Sequence, residues 1–254
     1  MVRTPPAPVP LAVPSAVLAL VAALAACSDD APADPDAATD APTDVAIDGP
    51  DAAGCGADYQ MTGEYVDWES TSGVDFDGVE EAVWTVIGDA GRTATTAPNG
   101  RIIICLPRTT VTLTVNHTPA QGGPLYVPAL FVADPAVLSP AGAMFSARGL
   151  RRADADDRYG EIQAGMTFDA SAGHVLVVKR GAPTALAIGA SPSFVSAGVD
   201  DPTWEPGDTG TFTLFPNLAG VPAGGAGTVT LTGTFTGPTT IPVDQGKLTI
   251  VPIS

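Results

Sequence analysis

From Cys55 onward the hydrophobic and polar positions alternate with a period of two, the signature of half-buried strands. Thr110 to Val115 alternates strictly and puts Val111, Leu113 and Val115 on one face. Arg101 to Pro107 carries Ile102, Ile103 and Ile104 in a row, which predicts a strand buried on both faces. The letters Thr-Val-Thr-Leu-Thr at 110–114 return at 228–232, and the strand before each copy matches as well. Gly100 to Pro107 parallels Gly210 to Pro216 with one residue of slip. The pattern predicts two copies of one β module, at 55–135 and 170–254. Asn99-Gly100 marks a tight turn between two of the strands.

The stretch between the copies, 136–169, alternates less cleanly and reads as a connector. Within it Ala141 to Ala155 (AGAMFSARGLRRADA) is expected to form a short helix, although Gly149 weakens it. Arg151, Arg152, Asp154, Asp156 and Asp157 are expected on its solvated side.

The N-terminal pattern is of another kind. Arg3 is followed by an apolar run from Leu11 to Ala26, interrupted by Pro14 and Ser15. The run is short for a membrane span and ends in small residues, as an export signal does. Its last residues, Leu24-Ala25-Ala26-Cys27, match the lipobox of bacterial lipoproteins at all four positions. That resemblance implies cleavage after residue 26, lipidation of the Cys27 thiol and acylation of the new amine. Each buried methylene of such chains contributes ~0.8 kcal/mol to membrane binding. Ser28 after the cysteine favours the outer membrane, by resemblance to the enterobacterial sorting rule. Residues 28–54 hold eight Asp and four Pro with no Lys, Arg or aromatic residue. Such a segment buries too little apolar area to offset its ordering entropy, and like charges extend it. It reads as a disordered tether.

The folded part resembles a known family. Gly73-Val74, Glu81-Ala82-Val83-Trp84, the run from Thr95 to Arg101 and the Leu106-Pro107 strand end look like the regulatory-type β-sandwich of carboxypeptidases, a transthyretin-like (prealbumin-like) fold. Gly210 to Leu214, Phe215-Pro216-Asn217-Leu218 and Gly246-Lys247-Leu248-Thr249 are similar in the second copy. The resemblance implies a mainly β chain of two tandem seven-strand antiparallel sandwiches. It implies fold and carries no activity. The carboxypeptidase catalytic domain is missing. The chain ends Ile-Val-Pro-Ile-Ser, not in the Tyr-Arg-Gly-Ser tail of the hydroxyisourate hydrolases of this fold.

Composition narrows the chemistry. Charged residues make up 15%, the net charge is −17, and Lys179 and Lys247 are the two lysines. Binding nucleic acid or an anionic lipid surface through a basic patch requires clustered cations, which are lacking. With Cys27 lipidated, Cys55 and Cys105 remain. An oxidising compartment favours a disulfide between them, the alternative being a buried Cys105 thiol and a free Cys55. His117 and His174 fall in no zinc pattern and read as surface or strand-end residues. Asp75-Phe-Asp77-Gly78 and Asp154-Ala-Asp156-Asp157 resemble fragments of calcium loops without the distal Glu. No cofactor is expected. Lys179 and Asn217 do not match the strand order that intramolecular Lys–Asn bonds need in pilin-type repeats. Trp204, in a polar loop, is the one weak candidate for ligand binding; the alternative is a lid over the sandwich end. Trp68 and Trp84 read as core.

These readings converge on a non-catalytic lipoprotein of the cell envelope, anchored by lipid and acting as a structural or interaction module. A glycan- or envelope-component-binding module is the alternative, and an enzyme of unrecognised type the third reading.

Overall fold

The computed structural model describes residues 54–68, 70, 77–119, 123–140, 144–198, 203–207, 209–222 and 227–254. Cys27, the lipobox, residues 28–53 of the tether and Asp75 lie outside them.

The described chain is mainly β. In its first half, β1 (Tyr59–Asp67) pairs antiparallel with β4 (Arg101–Leu106) and parallel with β7 (Met144–Gly149). Facing this sheet, β3 (Asp89–Thr95), β2 (Ala82–Val86), β5 (Val111–His117) and β6 (Ala129–Ala133) lie side by side, all antiparallel. The second half repeats the plan. There β8 (Gly173–Lys179) pairs antiparallel with β12 (Phe212–Leu218) and parallel with β15 (Leu248–Ile253). The opposite sheet runs β9 (Thr184–Ile188), β13 (Gly227–Thr234), β14 (Thr240–Val243). One element changes sides. β3 pairs with β2, whereas its counterpart β10 (Phe194–Ser196) pairs with β12 and with the two-residue β11 (Glu205–Pro206).

By this topology β4 is equivalent to β12 and β5 to β13, the same strands that share sequence. The inward phase matches too: Leu113 and Leu231 are buried, and Val111 and Val229 pack against their respective cores. At the turn before β4, Gly100 takes φ +73, and its N–H donates to the Ala97 carbonyl at 2.7 Å. A side chain there would sit 2.2 Å from the Tyr65 carbonyl oxygen. The Asn-Gly turn is therefore restricted by close approach as well as by its dihedral.

The two halves are not separately closed antiparallel sandwiches. β6 and β15 pair in parallel, Ala129 opposite Leu248 and Phe131 opposite Ile250, and this joins two sheets into one of nine strands. The cause is visible in the strands themselves. β6 (ALFVA), β8 (GHVLVVK) and β15 (LTIVPI) are buried at every position. Continuous apolar runs of this kind belong to strands covered on both faces, where parallel pairing is at home. Alternate residues feed two cores. Phe131, Leu176, Val178 and Ile250 join the first, with β1, β4 and β7. Val132, Val175, Val177, Val251 and Ile253 join the second, with β9, β13 and β14. The two small sheets therefore lie against opposite faces of the large one.

The connector differs from its sequence reading. The expected helix at 141–155 is absent over Met144–Gly149, which is β7. Helices stand on either side, α1 (Pro135–Leu138) and α2 (Ala155–Ile162). Ala, Met, Leu and Arg favour helices in isolation, but Phe145 and Ala147 bury on the sheet face, and tertiary burial outweighs propensity. The seventh strand of the first sandwich thus lies beyond residue 135. α1 opens with Asp134, whose carboxylate accepts from the Ala136 N–H at 2.8 Å.

Candidate functional site

Cys55 and Cys105 are joined by a disulfide, with an S–S length of 2.05 Å and Cα atoms 5.4 Å apart. The bond ties Cys55, which precedes β1, to β4. Arg92 reaches the same corner: its guanidinium donates to the Asp58 carboxylate and to the Cys105 carbonyl, the latter at 3.3 Å.

Trp204 does not present its indole to solvent. It is 8% exposed and stacks on Trp68, with centroids 6.4 Å apart and planes 19° from parallel. The polar flanking letters suggested a loop residue, but the ring area is worth more inside than out, and a second indole supplies the contact. Trp204 is a clasp between the end of β1 and the segment leading into β11, not a platform.

A buried polar cluster gathers at the end of β1. Asp67 ends β1 and is 1% exposed. Its Oδ2 accepts from the Tyr126 hydroxyl and from Arg151 Nε, both at 2.6 Å. Arg148 donates to the main-chain carbonyls of Asp67 and Ser70, and Arg152 Nε to that of Tyr126 at 3.2 Å. Arg151 is therefore turned inward, against the expectation of a solvated position, because a buried carboxylate needs a cation or several donors. Burial and the bond to Asp67 push the Tyr126 hydroxyl up to about 12. A phenol held protonated in this way, beside a carboxylate already bound to a cation, forms no acid–base pair at neutral pH. The cluster is a fastener between β1, β7 and the loop before β6. Its one signal in the sequence is the density of Arg148, Arg151 and Arg152 in a chain short of cations.

Beside it, Glu80, Glu81, His117, Pro119, Pro124 and Tyr126 line a cavity of about 280 Å³. The His117 ring meets the Tyr126 ring edge-on at 5.1 Å, and Glu81 sits at φ +59. A second cavity, of about 610 Å³, lies between the end of α2 and β10, lined by Ile162, Gln163, Ser193, Phe194 and Pro206 among others. None of its lining residues among those described is ionisable.

His174 is a core residue, not a surface one. It is fully buried on β8. Its Nε2 bonds the Asp169 carbonyl at 3.0 Å, which makes Nε2 the protonated nitrogen, and Nδ1 accepts from the Tyr159 hydroxyl at 2.8 Å and from the Asn217 N–H at 3.3 Å. Phe168 stacks on the ring at 4.1 Å. Burial pushes the imidazole down to about 4, offset in part by the Asp169 carbonyl and carboxylate.

The remaining candidates stay apart. Asp156 accepts from the Phe168 N–H at 2.9 Å, and the Asp77 N–H donates to the Ser70 hydroxyl. Among the described residues no three His, Cys, Asp or Glu side chains converge as metal ligands. Lys179 closes β8, whereas Asn217 lies beside Gly173 at the other end of the β8–β12 pair. The six residue steps from Gly173 to Lys179 separate the two ends by roughly 20 Å.

No protein-family model matches the chain, and no curated protein matches it. Among solved structures, the Bacillus anthracis TIE protein aligns with 76% of this chain at 13% identity and a TM-score of 0.25. The chain covers 33% of that protein.

Proposed function

We propose that this protein is a membrane-anchored lipoprotein of the bacterial cell envelope, a non-catalytic structural or interaction module held by acyl chains on Cys27. The observation that carries the reading is the complete lipobox, Leu24-Ala25-Ala26-Cys27, followed directly by an aspartate-rich tether. A disulfide between Cys55 and Cys105 suits an exported protein. Among the described residues no helix is long and apolar enough to cross a membrane. The shared strand order of the two halves supports descent from one module, of the transthyretin-like kind that the sequence resembles. The Ser28 rule points to the outer membrane.

The polar groups support a structural role. Within the buried ionic cluster the Asp67 carboxylate is met by the Tyr126 hydroxyl and by Arg151, and the phenol stays protonated. A ligand-binding reading rests on the cavity of Glu80, Glu81, His117 and Tyr126. Envelope glycan fragments that shift the NMR signals of these residues selectively would favour it.

Growth with a clickable palmitate analogue, followed by membrane fractionation, tests the anchor. Wild-type protein is expected in the membrane fraction carrying label, and Cys27→Ser in the soluble fraction without it. An unlabelled, soluble wild-type protein contradicts the proposal.

A further inference from the structure

The segment from α2 to Asp169 lies against the second half of the large sheet, with Ala155, Tyr159 and Ile162 buried in the first core and Met166 and Phe168 packed against it. Tyr159 reaches in from α2, Phe168 lies flat on the ring of His174, and the Asp169 carbonyl accepts the His174 Nε2–H. Three contacts of one segment thus meet on a single imidazole. Asn217, at φ +49 within the β12 bulge, completes the arrangement. Its main-chain N–H points at Nδ1, and its side chain bonds the Thr167 carbonyl at 2.9 Å and the Asp169 N–H at 3.0 Å. By contrast β8, which carries His174, is held by β12 on one side and β15 on the other.

We propose that His174 is an acid-operated latch: protonation of its ring releases the segment from α2 to Asp169 while the sheet beneath stays formed. The geometry admits one protonation state. Nδ1 faces two donors, the Tyr159 hydroxyl and the Asn217 N–H. A proton on Nδ1 sets the fixed Asn217 N–H against another donor and adds a charge at a fully buried site. The Tyr159 hydroxyl can turn to accept, but its own proton then loses its acceptor. The charged groups nearby do not compensate. The Asp169 carboxylate accepts from the Ser171 N–H and hydroxyl, at 2.8 and 2.6 Å, and Asp156 from the Phe168 N–H. On the other flank Leu248 stands in register with His174, and the adjacent Lys247 pairs with Asp244 at 2.7 Å. The segment, which meets the ring through side chains and the Asp169 carbonyl and not through strand pairing, is the partner that gives way, because β8 is held by a strand on each side. Ile162 and Gln163 form one wall of the 610 Å³ cavity, so release opens that cavity toward Phe194 on β10.

The test uses the mature chain from pH 7.5 to 4, following the His174 ring by NMR and amide hydrogen exchange by residue. Protection factors at 156–169 are expected to fall at least tenfold in step with the His174 titration, with β8, β12 and β15 still protected. In His174→Gln, whose amide cannot titrate, the same amides keep their protection across the range. Loss of protection at all strands together, or an unchanged pH profile in His174→Gln, overturns the latch. If the variant fails to fold, the wild-type comparison decides: segment exposure that does not track the ring titration refutes the proposal.

Discussion

Gly63 on β1 stands in register with Phe145 on β7, and the ring fills the space a side chain at 63 would take. A Cβ built on Gly63 falls 2.3 Å from Phe145 Cε1. The parallel β1–β7 pair therefore depends on a glycine facing an aromatic ring, which itself packs on Trp84 and Phe131 at 5.7 and 4.7 Å. Gly63→Ala is expected to destabilise the protein by about 1–3 kcal/mol through overpacking. Urea denaturation of Gly63→Ala, Phe145→Leu and the double variant checks it, with the double variant less destabilised than the sum of the singles.

The disulfide closes a separation of 50 residues. On the chain-entropy argument it contributes roughly 4 kcal/mol. Cys55→Ser with Cys105→Ser should lower the urea midpoint accordingly, and reductant should do the same to the wild type and nothing to the double variant.

Asp67 and its partners make a sharper case. Asp67→Ala leaves Tyr126 and Arg151 without the carboxylate they share, and a loss of about 3–5 kcal/mol is expected. Tyr126→Phe removes one hydrogen bond to that carboxylate and should lose about 1–2 kcal/mol. A double-mutant cycle on the pair measures their coupling.

For Trp204 the account predicts a stability effect and no binding effect. Trp204→Ala removes an indole stacked on Trp68 and is expected to lose about 3 kcal/mol in thermal or urea unfolding. Glycan-array signals, if any exist for the wild type, should persist in the folded variant.

The pH dependence has a definite sign. His174 is near 4 when folded, below the ordinary 6.5, so the unfolded chain binds the extra proton between those values. Stability from this residue is fully present above pH 6.5 and is lost as pH falls toward 4, by about 3 kcal/mol in all. Urea midpoints measured at pH 7, 5.5 and 4.5 should fall more steeply in the wild type than in His174→Gln.

Much of this architecture is legible locally. The alternation in Thr110 to Val115 and the return of its letters at 228–232 identify equivalent strands, because period and turn chemistry are properties of neighbouring residues. What joins distant parts is not local. Nothing in ALFVA names LTIVPI as its parallel neighbour; the apolar run says only that both faces are covered. Met144 to Gly149 reads as helix by propensity and becomes a strand because β1 offers Gly63. Asp67 meets Tyr126 and Arg151 across 59 and 84 residues, and no spacing rule reaches that far. Trp204 was legible as an aromatic in a polar loop, but the indole that covers it lies in the other half of the chain.

The claim on which the rest depends is that the mature chain begins at a lipidated Cys27. Intact-mass spectrometry of the native protein, extracted from membranes in detergent, tests it most directly. The account predicts a mass equal to residues 27–254 less two hydrogens for the disulfide, plus a diacylglyceryl group and, where the amine is acylated, one more acyl chain. A mass matching the bare polypeptide, or one that retains residues 1–26, contradicts it.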